Sequence, residues 1–457
     1  MGDAGRGLER MVRQTQAEAR IPALSAALHR ADRPLWSCAV GGSGNDSPLS
    51  PESQFRIGSV TKTLTAVLVM QARDDGLLDL DDPVGRHLDV PAHGELTVRR
   101  LLSHTSGLQR EPYGDVWDTL RAPDTDQLVA DLVRAERVLS PARRYHYSNL
   151  GLSLLGHAVA RLRGGTWAEV LQDRILTPLG LTRTTVRPDP TAVTGFLVDA
   201  YSDHARPEPP ADFGAVAPAG QIWSSAPDMA RWAAFLADPA ALDPGAEVLR
   251  PATLDEMRWP LTVTDESLWV GGFGLGLILV PQGDRVLHVG HDGAMPGFLA
   301  GVYGRRGGAG TAAAMGCAVL GSSGTAVATI ELPHRLLAAA VQEDPADIVA
   351  WTPGEAAPAA YRSVLGRWWG EGFEYVFFWR DGALRARGAD DPAGKPPSVF
   401  MPLPDQPDVL RTVSGREVGE LLRLTRDEAG TVVRMHWATY RITRTQETFD
   451  GVTVSEP

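Results

Sequence analysis

Hydrophobic and polar positions alternate with a strand-like period near the amino terminus. Residues 24–28 and 33–40 predict two short strands around a turn, and residues 54–57 predict a brief extended piece. From Ser59 the spacing of apolar residues changes to three and four, which predicts a helix that Gly76 is placed to end. The chain therefore begins its folded part with strands and then turns to helix.

The pattern is mainly helical from about 95 to 285, where Pro- and Gly-rich loops interrupt it. Strand-like runs return at 274–280, 286–289, 299–303 and 312–320, followed by a helix through 338–340. Strands at both ends with a helical insert between them predict an α/β fold, built on an antiparallel sheet.

Composition shifts after this region. Residues 343–360 are rich in Pro and Ala and predict a linker. Beyond it, pairs of strand-like runs are separated by turn signals at Asp381-Gly382 and at 427–430, so 361–457 is predicted to be a small all-β domain, a barrel or a sandwich. The predicted organisation is one α/β domain at 1–342, the linker, and the β domain.

Composition and charge exclude several classes of protein. The chain has 457 residues, is 43% hydrophobic and carries a net charge of −12, which argues against disorder and against nucleic-acid binding. Its two cysteines, Cys38 and Cys317, offer neither a disulfide framework nor a structural zinc site. The first twenty residues predict a polar helix rather than a signal peptide, and no apolar run suits a membrane span. We therefore expect a cytoplasmic protein without a membrane partner.

Lysine and asparagine are both rare. Of the 44 basic residues only Lys62 and Lys395 are lysines, and Asn45 and Asn149 are the only asparagines. Lysine can lose its proton near neutral pH when its surroundings favour this, whereas arginine cannot. A lysine retained against this bias is a candidate for proton transfer, although chance retention explains Lys395, which lies in a Pro/Gly-rich loop.

Ser59 and Lys62 form a Ser-x-x-Lys motif at the start of the predicted helix. One helical turn brings the amine within reach of the hydroxyl, and the helix dipole and burial both favour the neutral amine that could accept the serine's proton. The alternative is a helix-capping serine followed by a solvated lysine.

Two further clusters carry candidate chemistry. In Tyr147-Ser148-Asn149, the phenol could relay a proton and the amide could hold a substrate amide, or the asparagine could simply form a turn. In His291-Asp292-Gly293-Ala294, predicted to follow a strand, glycine would allow a backbone N–H to approach an oxyanion, or the segment could be an ordinary turn. His104 more plausibly holds a loop together than binds a metal.

Taken together, these clusters resemble the active-site motifs of the serine β-lactamase and penicillin-binding-protein superfamily, in particular its class C-like branch. The resemblance covers residues 20–335 and rests on FRIGSVTKTLTA, LLSHTSGL, YHYSNLGLSLLG, LTPLGLTRT, APAGQIWSSAPDMARW, FGLGL and GHDGAMPGF. It implies the family's antiparallel sheet with a helical insert for 1–342 and a lipocalin-like β domain for 361–457.

The resemblance also implies a role for each motif residue. Ser59 would be the acylated nucleophile, Lys62 its base and Tyr147 the proton shuttle. Asn149 would hold the acyl chain, and His291 would stand where the family often has lysine. The backbone N–H groups of Ser59 and Ala294 would form the oxyanion hole, and neither a metal nor a cofactor is implied. Further candidates for substrate contact are Asp292, Gly293, Trp223, Arg441 and Arg444.

Two departures from the family pattern are visible. Asp292 replaces a residue that is often Thr or Ser, and an inward-facing carboxylate would repel a substrate carboxylate, which disfavours β-lactamase and D-Ala-D-Ala carboxypeptidase activity. Ala142 replaces a common glycine, a change expected to be minor.

Members of this superfamily share acyl transfer through an acyl-serine, so the acyl donor and acceptor distinguish their activities. The absent export signal and the appended β domain resemble stand-alone thioesterases of the penicillin-binding-protein type, which release non-ribosomal peptides by head-to-tail cyclisation. We expect such a cyclase, acting on a D-configured C-terminal residue, with a peptidyl carrier protein as partner. The alternatives are a hydrolase, either an esterase or a D-stereospecific peptidase acting on a small ester or peptide, and a catalytically dead binding module.

Overall fold

A computed structural model describes residues 3–30, 33–140, 144–265, 267–283, 285–307, 314–343, 350–392 and 394–446. The chain divides into two compact units, Met1–Asp347 and Ile348–Pro457. Part of the predicted linker, residues 344–349, and Ala142 lie outside the described residues, so the predicted domain boundaries stay a prediction. No helix in the described part of the chain has both the length and the apolar composition needed to cross a membrane.

The helices of the first unit alternate with short strands and loops. They are α1 (Asp3–Glu18), α2 (Thr61–Asp74), α3 (Val98–Leu102), α4 (Val116–Thr119), α5 (Thr125–Ala130), α6 (Asn149–Arg163), α7 (Trp167–Leu171), α8 (Ala217–Gly220), α9 (Ala226–Ala237), α10 (Pro251–Met257) and α11 (Ala328–Glu343). Short 3₁₀ turns include Gly58–Val60, which leads into α2.

The strands of the first unit are β1 (Ala23–Arg30), β2 (Arg33–Gly41), β3 (Phe55–Arg56), β4 (Phe196–Val198), β5 (Ala205–Pro207), β6 (Trp223–Ser224), β7 (Thr262–Val263), β8 (Gly272–Phe273), β9 (Ile278–Pro281), β10 (Val286–Met295), β11 (Phe298–Gly307) and β12 (Met315–Gly321). Eight of them form an antiparallel sheet in the order β2-β1-β12-β11-β10-β9-β8-β7, while β3 pairs with β6 and β4 with β5.

Each face of the eight-stranded sheet carries its own hydrophobic core. On one face, α9 packs on β1, β11 and β12, and the same core extends to α2 and α6 of the helical insert. On the other face, α1 and α11 cover side chains of β1, β11 and β12. Burial of both faces explains why β1 and β12 are apolar or small almost throughout rather than alternating.

The predicted α/β fold is confirmed, although several strands differ in extent from the prediction. The run at 274–280 is strand only from Ile278, because Gly276 turns with φ +75° against α2, where a Cβ would lie 2.2 Å from Ala66 Cβ. The strand predicted at 286–289 continues to Met295. The His-Asp-Gly motif therefore lies inside β10 rather than after a strand. The sequence of this motif is typical of a turn, so its extended conformation was not predicted.

The second unit is a closed antiparallel barrel, as the sequence allowed. Its strands are β13 (Gly366–Gly370), β14 (Phe373–Arg380), β15 (Ala383–Gly388), β16 (Ser398–Leu403), β17 (Gln406–Ser414), β18 (Leu421–Arg426), β19 (Val432–Trp437) and β20 (Tyr440–Thr443). Asp381 and Gly382 both have positive φ in the tight turn between β14 and β15. The barrel agrees with the lipocalin-like fold expected from the resemblance.

Aromatic side chains fill the barrel. Phe400 is 1% exposed and stacks on Phe377, with ring centroids 5.8 Å apart, and meets Trp437 edge-on at 5.1 Å. We expect Phe400→Ala to lower the free energy of unfolding by about 3–5 kcal/mol, because the cavity left by a buried ring cannot fully collapse. Urea unfolding followed by near-UV circular dichroism measures this loss.

The matched control is Phe373→Ala. Phe373 is 64% exposed on β14, so its truncation should change the free energy of unfolding by no more than about 0.5 kcal/mol. Equal losses for the two variants would contradict the core assignment of Phe400.

Candidate active site

Ser59 lies at the junction of a 3₁₀ turn and helix α2. Its side chain remains partly accessible while Gly58 and Val60 on either side are buried. The turn at Gly58–Val60 thus presents the hydroxyl at the surface of a cavity and places Lys62 one helical turn further on, beneath it.

Lys62 is completely buried beside Ser59. Its Nζ lies 3.0 Å from Ser59 Oγ and donates to the carbonyl oxygen of Ala219 at 2.6 Å. Burial lowers the pKa of Lys62 well below its usual value, although the carboxylate of Glu111 opposes this shift. A neutral amine at this distance can accept the proton of the serine, which is what a general base for Ser59 requires.

Tyr147 approaches the same hydroxyl from the loop before α6. Its phenol faces the hydroxyl of Ser59, which acts to lower the pKa of the phenol, and Lys62 Nζ lies 4.8 Å from the centre of its ring. Burial raises the pKa of Tyr147 above its usual value, so the phenol stays protonated. It can therefore pass a proton between Lys62 and a reacting group, while the role of base falls to the lysine.

The loop that carries Tyr147 is fixed by His104. The backbone N–H of Ser148 donates to His104 Nδ1 at 3.1 Å, and the rings of His104 and Tyr147 lie 4.4 Å apart. The interpretation that His104 holds a loop together is confirmed.

Asn149 is the first residue of α6 and faces the cavity. Its Nδ2 donates to Glu111 Oε1 at 2.6 Å, so the amide is held across the site rather than folded into a local turn. The backbone N–H of Asn149 donates to the carbonyl of Arg110 at 2.7 Å. Two residues of the preceding loop therefore set the position of the amide.

His291 lies on the face of β10 that is turned toward Tyr147, with ring centroids 6.0 Å apart. Its Nδ1 lies 2.5 Å from the carbonyl oxygen of Asp292, which can only accept, so Nδ1 carries the hydrogen. Nε2 is buried and has no hydrogen-bond partner among the described residues. Burial, and then the nearby Lys62, lower the pKa of His291 to about 3, so the ring is neutral with a free lone pair at Nε2.

Two glycines bring β10 against the serine turn. A Cβ on Gly293 would lie 1.9 Å from the carbonyl oxygen of Ile57. Gly58 has φ +51°, and a Cβ there would lie 2.7 Å from the backbone nitrogen of Ala294. Because only glycine permits this approach, the backbone of Ala294 comes beside the turn that ends in Ser59. This is the arrangement that the predicted pair of oxyanion donors requires.

A cavity of about 460 Å³ opens in front of Ser59. Besides Asn149 and Ala294, its walls are formed by apolar and charged side chains that sequence analysis missed: Trp117, Leu197, Phe213, Val216, Met295, Arg110, Glu111, Arg206 and Glu208. These residues come from separate loops, helical turns and strands, including α4 and the end of β10. Arg110 and Glu111 stand one residue beyond the LLSHTSGL segment, which was the one available signal for them.

The charges around the cavity pair with each other. Arg110 Nε lies 3.4 Å from Glu111 Oε1, and an Arg206 nitrogen lies 3.1 Å from Glu208 Oε1. Both arginines that line the cavity are therefore already matched by carboxylates, and a substrate carboxylate would have to compete with them.

The side chains of two residues predicted to contact the substrate, Asp292 and Trp223, do not face the cavity, so these predictions are wrong. Asp292 alternates with His291 along the strand, so its carboxylate lies on the opposite face of the sheet and accepts from Tyr303 Oη at 2.8 Å. The Asp292 carboxylate therefore does not face the substrate, contrary to the expectation that it would repel a substrate carboxylate. Trp223 is 5% exposed and meets Phe298 edge-on in the core beneath the site, because β6 buries both of its residues.

Two other candidates belong to the barrel unit. Arg444 lies over the ring of Trp368 at 3.9 Å and donates to the backbone oxygen of Leu365 at 3.0 Å, so it braces the barrel. Arg441 pairs with His436 in the register of β19 and β20. Their contact with substrate stays a prediction, as does the absence of a cofactor. The described residues contain no group of three or more His, Cys, Asp or Glu that could hold a metal ion.

The fold and this site define the class of protein. The model of the Beta-lactamase family matches residues 8–329, more than half of the chain. The chain therefore belongs to the beta-lactamase family, a family of serine hydrolases of the β-lactamase and penicillin-binding-protein type. Residues 357–444, within the barrel unit, match a separate family described as a domain of unknown function, DUF7586.

Similar proteins agree with this assignment. Penicillin-binding protein 4 of Amycolatopsis lactamdurans is 32% identical over 272 residues, which cover 56% of this chain and 69% of that protein. Beta-lactamase-like protein 2 of Dictyostelium discoideum is 27% identical over 283 residues, and the match covers 58% of this chain but only 50% of the relative. Among solved structures, SurE superposes with a TM-score of 0.60 at 25% identity, covering 97% of this chain and 99% of SurE.

Ser59→Ala tests the assignment of the nucleophile. We expect loss of covalent labelling by a fluorophosphonate and a loss of ester turnover of several orders of magnitude, because an activated serine cannot be replaced by its neighbours. The matched control, Ser202→Ala at an exposed serine, should label normally. Labelling of the Ser59→Ala variant at wild-type rate, located by mass spectrometry at another serine, would contradict the assignment.

Lys62→Arg tests whether the buried amine acts by losing its proton. We expect labelling of Ser59 to slow by about 10²–10⁴-fold, as much as in Lys62→Ala, because arginine keeps its charge and cannot serve as a base. The rate of labelling should also fall in acid as Lys62 becomes protonated, since its lowered pKa keeps the amine neutral only above that value. Lys395→Arg, at an exposed lysine, is the matched control and should leave the rate unchanged. Substantial labelling of Lys62→Arg would make the lysine an electrostatic support instead.

Proposed function

We propose that this protein is a stand-alone thioesterase that releases a non-ribosomal peptide with a D-configured C-terminal residue from a carrier protein and closes it head to tail. The observation that carries the proposal is the lining of the cavity beside Ser59. Its apolar wall, which includes Trp117, Phe213 and Met295, suits an uncharged side chain next to the acylated carbonyl. Its arginines are already paired, which disfavours substrates that present a carboxylate there, such as penicillins and D-Ala-D-Ala peptides.

Acylation would use the serine, lysine and tyrosine in sequence. Lys62 takes the proton of Ser59 as Oγ bonds to the thioester carbonyl, and the backbone N–H groups of Ser59 and Ala294 stabilise the oxyanion. The carbon–sulfur bond then breaks, and the proton reaches the departing thiolate from Lys62 through Tyr147. The peptide is now an ester of Ser59 and the carrier thiol is free.

Cyclisation would reverse the proton path with an amine in place of the thiol. The N-terminal amine of the peptide attacks the ester carbonyl, its proton passes through Tyr147 to Lys62, and Ser59 Oγ leaves with a proton from the lysine. The two arginine–glutamate pairs leave the lining of the cavity without net charge, so the ammonium form of a peptide N-terminus can enter without repulsion before it loses its proton. The free lone pair of His291, beside Tyr147, offers a further acceptor while that proton moves.

The comparison with SurE also supports a D-configured acyl donor. SurE resembles the chain over nearly its whole length, barrel included, and a second structure of SurE was determined with D-Leu. The cytoplasmic location and the carrier-protein partner are parts of the same proposal.

The test is a set of linear peptide thioesters offered to the full chain. A peptide with a D-configured apolar C-terminal residue and a free N-terminus should give mainly macrocycle, as measured by liquid chromatography and mass spectrometry. The same peptide with an acetylated N-terminus should acylate Ser59 but give no macrocycle. The same peptide with an L-configured C-terminal residue should acylate Ser59 at least tenfold more slowly, because a side chain misplaced in an apolar pocket by as little as one methylene group costs roughly 1–3 kcal/mol.

Other products would favour other functions. Only linear acid from several D-terminated peptides would make the protein a D-stereospecific hydrolase. Faster turnover of a penicillin or of a D-Ala-D-Ala peptide than of any thioester would return it to the β-lactamase or carboxypeptidase group. Ser59→Ala, run in parallel, separates enzymatic products from spontaneous thioester hydrolysis.

A further inference from the structure

A partly buried group of polar side chains lies on the face of the sheet opposite Ser59. Tyr303 on β11 donates its phenol hydrogen to Asp292 Oδ1 at 2.8 Å. The ring of His334, on α11, lies 4.4 Å from that of Tyr303, and His334 Nδ1 is 2.7 Å from Nδ1 of His288 on β10. The reaction proposed above uses none of these side chains.

Asp292 belongs to this group because of its place in the strand. Successive residues of β10 face opposite sides, so His291 and Gly293 face the serine turn while Asp292 and His288 face α11. Tyr303 is 1% exposed and belongs to the core under α1 and α11. A carboxyl group in such a place costs free energy unless it is hydrogen-bonded, and the phenol of Tyr303 provides that bond.

Asp292 contacts both faces of the sheet at once. Its side chain is held by Tyr303 on one face, and its backbone carbonyl accepts from Nδ1 of His291 on the other. The same carbonyl keeps the hydrogen of His291 on Nδ1 and leaves the lone pair of Nε2 free. Any rotation of the Asp292 peptide would change the ring orientation and the tautomer together.

We propose that Asp292 is a positioning residue, which Tyr303 anchors from behind the sheet so that its carbonyl holds His291 with Nε2 available to the reaction at Ser59. This inference rests on the acyl transfer proposed for the site, but not on whether an amine or water accepts the acyl group. Asp292 itself touches no reacting atom.

A pH dependence follows from the same geometry. Burial raises the pKa of Asp292 to about 6, although the hydrogen bond from Tyr303 opposes this. The titratable groups that face it are Tyr303, the more distant Tyr145 and, beyond Tyr303, His334 and His288. Burial lowers the pKa of both histidines, and that of His288 to about 3, while Tyr145 and Tyr303 have raised pKa values. Asp292 therefore changes charge near pH 6, and its protonation weakens the bond from Tyr303 as the pH falls.

Kinetics of the full chain with a p-nitrophenyl ester test the proposal. Tyr303→Phe removes the anchoring hydroxyl and keeps the ring, and we expect kcat to fall roughly tenfold to a hundredfold with KM changed less than about twofold. Asp292→Asn keeps an acceptor for Tyr303 but cannot titrate, so it should retain more activity than Tyr303→Phe and lose the part of the acid limb near pH 6. Ser25→Ala, which removes a buried hydroxyl from β1 of the same sheet, is the matched control and should behave as wild type.

A second readout does not depend on activity. In ¹H–¹⁵N spectra of protein labelled at histidine, with His291→Gln used for assignment, His291 of the wild type should show the Nδ1–H tautomer. Tyr303→Phe should shift His291 toward a mixture of tautomers, while Ser25→Ala should not.

An unchanged His291 signal and an unchanged kcat in Tyr303→Phe would overturn the proposal, and so would a pH profile of Asp292→Asn that is identical to that of the wild type. A correctly folded Tyr303→Phe protein that loses activity while His291 keeps its tautomer would also overturn it, because the effect would then be structural only. If the protein proves to be a hydrolase rather than a cyclase, these measurements still decide the role of Asp292.

Discussion

The arrangement of the site depends on the complete burial of the Lys62 amine. In water this amine would be charged and could not act as a base for serine. Inside the protein its pKa falls, because the surrounding residues cannot solvate the ammonium form. Helix α2, the carbonyl of Ala219 and the ring of Tyr147 together enclose it. Desolvating an amine is costly, so the hydrophobic cores on both faces of the sheet must supply the stability that this group takes away.

A second constraint acts on the backbone. The serine turn and β10 come from parts of the chain more than two hundred residues apart, and they meet so closely that Gly58 and Gly293 have no room for a Cβ. This contact sets the separation between the nucleophile and the strand that carries His291 and Ala294. The eight-stranded sheet makes it reproducible, because β10 is held by β11 along its whole length.

Much of this was predictable from the sequence, for identifiable reasons. Local periodicity gave the strand pair near the amino terminus, the helix after Ser59 and the β-rich carboxyl-terminal unit, and the rarity of lysine singled out Lys62. The resemblance to a known family then joined Ser59, Tyr147 and His291, which no local pattern could bring together. What sequence analysis missed depends on tertiary contacts. The extent of β10 was hidden by a turn-like motif, the orientation of Asp292 follows from the strand register, and the cavity wall around Glu111 and Glu208 is assembled from distant loops.

The unequal exposure of the two lysines has a practical consequence for handling the protein. Lys62 is fully buried, whereas Lys395 belongs to the barrel unit and its side chain is 47% exposed in an ion pair with Asp391. A reagent that acylates side-chain amines will therefore meet one accessible lysine rather than the dozens found on most protein surfaces. A fluorophore or a solid support can be attached at that single side chain with Lys62 left unmodified.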